Sequence, residues 1–354
     1  MRFSDTALVF ETLESLPAAA GALFDATGAR SFFETRAWYA AVTAHGLTAE
    51  SAPRFALGFA GGRPVLLVPL QVLGGAAALR GLSTLYTCLY EPLVDPAARA
   101  EDVTAAAAGV ARYLRGWPIV RLDAMAADWP FLAPFCAGLR GAGLVIRRFN
   151  HFGNWHEPIA DRSWEAYQQA RPGPLRETIR RKLARWERDP ACRFELVAGG
   201  EGLEAAIAAF TAVYARSWKE PEPFAEMNAA TMRAAASLGA LRLGLLHVGD
   251  TPIAAQIWVL EGRRASVLKL AHDAQYKAHS PGTVLTALMI RRLLDEDHVS
   301  ELDFGRGDDA YKARWATRRR QRIGLLIADP RRARGVSALA RHALGRARAK
   351  LRGS

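Results

Sequence analysis

Between Ala271 and Thr283 the chain gathers side chains that move protons and hold phosphate. They are His272, Asp273, Lys277 and His279, followed by Ser280-Pro281-Gly282-Thr283. Apolar residues at Val284, Leu285, Leu288, Met289 and Leu293 mark one face of a helix. Ser280 and Pro281 stand where that helix should start, Ser being a favoured N-cap and Pro a favoured first helical residue. A strand feeding a loop that opens a helix leaves unpaired N–H groups at the positive end of the helix dipole, which suits a phosphate. Gly282, at the second helical position, would let a pyrophosphate approach the backbone with no side chain in the way, and Lys277 and His279 add donors nearby. An ordinary capped helix has the same local pattern, so the flanking elements must decide between the two.

Other chemistry finds less support. Gly305-Arg306-Gly307-Asp308-Asp309-Ala310 matches G-x-G-x-x-A after a strand, and Asp329 lies at a suitable distance for a ribose. The adjacent carboxylates of Asp308 and Asp309 would stand where a dinucleotide's pyrophosphate must sit. The sequence contains no G-x-S-x-G, G-x-x-x-x-G-K or H-E-x-x-H, so hydrolase, P-loop and zincin readings have no anchor. Cys88, Cys136 and Cys192 are widely separated, with neither metal-ligand nor disulfide spacing, so no metal and a reducing compartment are expected.

The elements that must position these residues fall into two similar runs. In the first, helical patterns at Leu13 to Phe24 and Ala37 to His45 precede strands at Arg54 to Ala60 and Pro64 to Val72. Gly61-Gly62 joins these strands with the positive φ angles of a tight hairpin. A helix at Val103 to Leu114, a strand at Ile119 to Asp123, a helix at Phe131 to Leu139 and a strand at Leu144 to Phe149 follow. In the second run, helices at Trp164 to Gln169, Leu175 to Arg188 and Leu203 to Ser217 precede a hairpin of Leu241 to Val248 and Pro252 to Leu260. Gly249-Asp250-Thr251-Pro252 answers Gly61-Gly62-Arg63-Pro64, and Ser300-Glu301-Leu302-Asp303 answers Val120-Arg121-Leu122-Asp123. The strand Ala265 to Ala271, the polar loop Asp273 to His279 and the helix to Leu294 have no evident counterpart in the first run.

A chain of 354 residues exceeds the size at which single cores stop growing, and half of it is apolar, so two ordinary folded domains are expected. The first residues lack a signal-peptide pattern and no apolar run reaches membrane-spanning length, which points to the cytoplasm. The net charge is +12, but residues 311–354 hold 14 of the 47 basic and one of the 35 acidic side chains. The remainder is therefore near neutral, which weighs against an extended nucleic-acid track. Val336, Leu339, Leu344 and Leu351 lie among eight basic residues between Arg331 and Arg352, enough for a basic amphipathic helix that is a solvated end or meets anionic surfaces.

Together these features resemble the GNAT superfamily, in its FemAB-like and CelD-like branch. The resemblance rests on Leu175-Arg176-Glu177 to Arg181, Arg216-Ser217-Trp218, Ile253-Ala254-Ala255 and Ala271-His272-Asp273 to Ser280-Pro281-Gly282. Leu302-Asp303-Phe304-Gly305 and Tyr311-Lys312 complete it. It covers about residues 155 to 328, and the first half by architecture alone. It implies an α/β fold of two tandem GNAT-like domains, each a mixed, mostly antiparallel central sheet flanked by helices. The first, 1–155, is non-catalytic, the second, 156–330, is the acyltransferase, and 331–354 form the helical basic tail.

The activity implied is N-acyl transfer from acyl-coenzyme A to an amine on a small molecule, sugar or peptide. Such a reaction must hold a pyrophosphate, polarise a thioester carbonyl, deprotonate an ammonium and reprotonate a thiolate. The candidates for the pyrophosphate are Lys277, His279, Ser280, Gly282 and Thr283, and backbone N–H groups of Ala265 to Ala271 would face the carbonyl. Asp303 and Asp273 are the proton acceptors, Tyr311 is the donor to the thiolate, and Arg216, Trp218, His272 and Lys312 line the acceptor site. Each also has a bland reading as a turn, packing or surface residue. Two further readings follow from the same resemblance: transfer of an aminoacyl group from tRNA, and a non-catalytic role in envelope or polysaccharide assembly.

Overall fold

The computed structural model describes residues 7–28, 30–74 and 78–352, with side chains as far as Leu344. Contacts divide the chain into two compact units, one of Met1–Phe152 with Gln321–Ser354 and the other of Gly153–Arg320. Unit 1 begins with β1 (Leu8–Phe10), α1 (Ala18–Gly28), α2 (Arg36–His45), β2 (Ala52–Ala60), β3 (Arg63–Leu73), β4 (Ala78–Gly81) and β5 (Leu93–Val94). It continues with α3 (Ala100–Leu114), β6 (Ile119–Ala126), α4 (Leu132–Gly141) and the start of β7 (Val145–Pro158). Unit 2 takes in the end of β7, then α5 (Trp164–Gln169), α6 (Gly173–Arg188), β8 (Cys192–Val197), α7 (Leu203–Ala215), α8 (Met227–Ser237), β9 (Leu241–Val248) and β10 (Thr251–Glu261). After these come β11 (Arg264–His272), α9 (Pro281–Asp295), β12 (Glu301–Asp303), α10 (Lys312–Trp315) and the start of β13 (Arg318–Ala328), which carries the chain back into unit 1 and to α11 (Ala333–Arg352).

The two units share one plan. In unit 1 the strands run β1-β2-β3-β4-β6-β13, and in unit 2 they run β8-β9-β10-β11-β12-β7. Each has an antiparallel hairpin, β2–β3 or β9–β10, turned by glycines in the left-handed region at Gly61, Gly62 and Gly249. In each, the next strand pairs in parallel with the strand that follows the main helix, as β4 with β6 and β11 with β12. Unit 1 therefore does hold a counterpart of the segment that reads as unique to the second run. Strand β4 answers β11 and α3 answers α9, but β4 is only four residues long against nine.

The final strand of each plan comes from outside its own run, since β7 precedes the second run and β13 follows it. Residues Glu157 and His156 of β7 lie opposite Leu302 and Asp303 of β12, and Ile323 to Ala328 of β13 pair with β6. This explains why contacts assign residues 321–354 to unit 1, whereas the sequence pattern groups residues up to 330 with the second run. Elsewhere, Pro17 opens α1, so the helix runs Ala18–Gly28, and Leu13 to Leu16 form a turn ahead of it whose two leucines are buried. Among the described residues no helix is long and apolar enough to cross a membrane.

Unit 1 also buries charge. Glu34, Glu91 and Arg322 are all nearly inaccessible, and Arg30 lies 3.3 Å from the Glu34 carboxylate. Burial, reinforced by Glu34, outweighs the lowering effect of Arg322 and Arg30 and pushes the Glu91 carboxyl up to about 8. Above pH 4.5, the ordinary value of the group, the unfolded chain ionises this carboxyl while the folded chain still holds its proton. Stability contributed here is full at low pH and falls as pH rises through about 8. Glu91→Gln should therefore flatten the decline of melting temperature across this window and melt higher than the parent at its alkaline end. Parallel pH profiles for the two proteins would remove Glu91 from the account.

Candidate active site

Strand β11 is paired with β10 through to His272, but its other edge meets β12 only where Arg264–Ser266 face Glu301–Asp303. Beyond Asp303 the chain stays with β7, where Phe304 N–H donates to the Trp155 carbonyl at 2.9 Å and Gly307 bridges Asn154. The two strands therefore part, and among the described residues Val267–His272 have no strand on that side. Val267, Leu268, Lys269 and Leu270 are all half-buried, whereas β10 beside them is buried from Ile253 to Val259. In unit 1 the corresponding gap beside β4 is filled. Tyr90 donates its N–H to the Ala124 carbonyl of β6 at 3.1 Å and its hydroxyl to the Pro69 carbonyl at 2.7 Å, and its ring packs against Gly81.

The open edge runs down to the start of α9. Asp273 ends β11 and caps a short 3-10 turn, Ala274–His279, by accepting from the Gln275 N–H at 2.9 Å. Its other oxygen takes Arg216 Nε at 2.7 Å, and Arg216 also donates to the Pro252 carbonyl. Burial would raise the Asp273 carboxyl, but the Gln275 amide and the Arg216 guanidinium outweigh it and hold it below the usual carboxylate range. Asp273 is thus a clamp with its oxygens already engaged, which is a poor arrangement for a proton acceptor.

The expected Ser280 side-chain cap is not formed. Ser280 occupies the N-cap position in the left-handed region, with φ 52° and ψ 48°, and its side chain makes no capping bond. Its carbonyl instead accepts from the Thr283 and Val284 N–H groups at 2.9 and 3.1 Å. Gly282 is buried, and a Cβ there would stand 3.3 Å from His272 Cδ2 and 3.6 Å from Leu270 Cδ2. Glycine here lets α9 sit close against β11. Lys277 is exposed, His279 is half-buried against Tyr276, and Lys182 of α6 donates to the Ala278 carbonyl at 2.5 Å.

Tyr311 reaches the same turn from the far side. Its hydroxyl lies 3.0 Å from Thr286 Oγ1 and donates to the Gly282 carbonyl at 3.3 Å. Burial outweighs the Thr286 hydrogen bond and pushes this phenol up to about 12, so it keeps its proton at neutral pH. Thr286 is fully buried and accepts from Gln256 Nε2 at 3.3 Å. At the end of β11 the His272 ring lies 4.4 Å from that of the exposed Trp218, and burial lowers the imidazole, which stays neutral at physiological pH. Lys312 turns to Asp309, at 3.6 Å, and to the Arg306 carbonyl.

Asp303 lies apart from this group. It is buried on β12, where one oxygen accepts from Asn154 Nδ2 and from the Gly305 N–H, both at 2.7 Å, and the other from Arg320. Arg320 also bonds Glu301 at 2.9 Å and Asn154 at 2.6 Å. With both oxygens engaged, Asp303 fixes the course of the chain where β12 leaves β11. The Gly305–Ala310 loop is likewise structural, since Asp308 takes Trp155 Nε1 and Arg319, and α10 beyond it has only four residues.

The structure thus brings together Arg216, Trp218, His272, Asp273, Ser280, Gly282 and Tyr311 around the end of β11 and the first turn of α9. Sequence reasoning missed Thr286, Gln256, Lys219, Lys269 and Glu222. The first two share the apolar period of buried faces, and the last three sit in segments with no motif.

Residues 174–313 match the family model described as an acetyltransferase (GNAT) domain. No curated protein matches the sequence significantly. Among solved structures, the chain resembles FemX at 11% identity and a TM-score of 0.59, with 84% of this chain and 92% of that one covered. It also resembles the C-terminal domain of a putative lysylphosphatidylglycerol synthetase from Agrobacterium fabrum, at 15% identity, TM-score 0.56 and coverage of 92% and 97%. A tandem GNAT protein from the clavulanic acid biosynthesis pathway gives 14% identity, TM-score 0.51 and coverage of 92% and 99%.

If Asp303 positions the chain, Asp303→Asn should weaken the Arg320 cluster and cost about 1–3 kcal/mol, read as a lower melting temperature. An unchanged midpoint would show that the network does not hold this end of the cleft.

Proposed function

We propose that this chain, a GNAT-superfamily protein of FemAB-like build, moves an acyl group from acyl-coenzyme A to an amine on a small molecule, sugar or peptide, with unit 2 as the transferase. The observation that carries the reading is the unpaired edge of Val267–His272, which ends on the first turn of α9. A strand edge offers N–H groups at fixed spacing, which suits a thioester carbonyl and an amide-containing arm, and a helix start suits the diphosphate behind them. Lys277, His279, Ser280, Gly282 and Thr283 remain the candidates for that diphosphate, Gly282 through its backbone alone.

In the reaction the amine nitrogen attacks the thioester carbon, the carbon–sulfur bond breaks, and the thiolate takes a proton. We assign that proton to Tyr311, whose raised phenol holds it until a strong base forms beside it. The ammonium must first lose a proton, and His272, kept neutral by burial, is the base we assign to it. Asp273 and Asp303 then act as positioning residues, Arg216 holds Asp273, and Trp218 and Lys312 border the acceptor.

Isothermal titration with a series of acyl-CoA thioesters tests the donor. Binding should also raise the melting temperature, by about 2.7 kcal/mol of stabilisation at one hundred times Kd. Tyr311→Phe should keep the thioester Kd and lose about 10²–10⁴-fold in kcat. No heat from any thioester, with consumption of aminoacyl-tRNA instead, would give the site to the other class of donor.

A further inference from the structure

Leu270 and His272 of β11 face α9, Lys269 beside Leu270 lies on the other face, and Lys269 and Lys312 both act on the charge of Lys219. Lys269 is paired with Glu222, whose carboxylate also accepts the Tyr214 hydroxyl at 2.5 Å. Lys312, beside Tyr311, is paired with Asp309. Lys219 is the third ammonium. It lies 5.9 Å from the centre of the Tyr214 ring and 5.8 Å from that of Trp218, and Lys269 lies 6.0 Å from the same Tyr214 ring. Glu222 and Asp309 are the carboxylates that favour its charge, and each is already engaged by another lysine. Among the described residues no carboxylate comes within ion-pair distance of Lys219.

Three ammonium groups thus face two carboxylates, and the odd charge is half-buried between aromatic rings. Removing an ammonium from water without a counter-ion is costly, and like charges beside it add to the cost. Burial first, then Lys269, lowers the Lys219 pKa, the direction expected of a cation short of a partner. Ring faces recover a part of the loss. An anion would recover more, and it would do so close to Lys269 of β11.

We infer that Lys219, with Lys269 and Lys312 around it, binds an anionic group of the acceptor, so that the preferred substrate is an amine that also carries a phosphate or a carboxylate. The inference rests on the reading of unit 2 as an N-acyltransferase and adds the class of amine to it.

Two matched pairs test it: glucosamine 6-phosphate against glucosamine, and D-alanine against D-alaninamide. Each is measured by titration calorimetry on the full chain without donor, and then as an acceptor with acetyl-CoA. The anionic member of at least one pair should bind more tightly, and the pair that responds tells phosphate from carboxylate. Lys219→Met should cut the ratio of anionic to neutral kcat/KM about 10–100-fold, the range of one charge-assisted hydrogen bond. Lys219→Arg should restore most of that ratio, and it serves as the check if the methionine variant folds poorly. Equal binding within both pairs, or a ratio unmoved by the substitution, overturns the inference. A loss of acetyl-CoA affinity in Lys219→Met would also overturn it, by moving the lysine to the donor. Failure of the parent protein to bind or use any thioester would instead strike the transferase reading, while the calorimetry without donor still judges the anion site.

Discussion

A strand in the interior of a sheet cannot leave its amides and carbonyls unpaired without a cost close to that of the hydrogen bonds forgone. Unit 2 has such a strand. From Val267 to His272, β11 has β10 on one side and no strand on the other, because β12 ends at Asp303 and the chain turns to follow β7. Much of the surrounding structure maintains that divergence. Asn154 and Arg320 engage Asp303 and hold the departing chain, while Arg216 and the Gln275 amide fix Asp273 at the end of β11. Gly282 lets α9 approach closely enough for its first turn to close the lower end of the gap.

The same plan in unit 1 shows what happens when such a gap is not kept. Strand β4 is cut short, and the chain after it returns so that Tyr90 bonds Ala124 of β6 and β5 pairs with β3. The Tyr90 ring lies where any side chain larger than that of Gly81 would be. One unit thus fills the edge with its own chain, and the other leaves Val267–His272 without a strand on that side among the described residues. The duplicated plan supplies the scaffold, and the course of a dozen or so residues after one strand separates the two outcomes.

Charge is distributed on similar lines. Where a buried charge has a fixed partner it acts as a joint, as in Glu157, which takes Arg162, Arg171 and Thr317 at the end of β7. Where no carboxylate lies within ion-pair distance among the described residues, as at Lys219, or the neighbour is another acid, as for Glu91 beside Glu34, burial works against the charged form.

The sequence by itself determined the local elements and the repeat. Gly61-Gly62 and Gly249-Asp250 mark their hairpins because only certain residues accept the turn angles, and the helices α5, α6 and α9 are legible because their apolar residues recur with the helical period. The matching order of elements in the two runs follows from the same cues, and so does the resemblance carried by the Ser280, Asp303 and Tyr311 motifs. Only the tertiary structure decided what those motif residues do. Asp303 meets a partner 149 positions away, and Gly282 of α9 lies close against the His272 ring of β11, facts that no local spacing contains. Strand β13 escaped notice because its opening run of arginines hides a strand pattern, and its pairing with β6 depends on the chain having passed through the whole of unit 2. Local propensity is written in neighbours along the chain. A cleft is written in which strands stop pairing, and that is settled only when residues far apart in sequence meet.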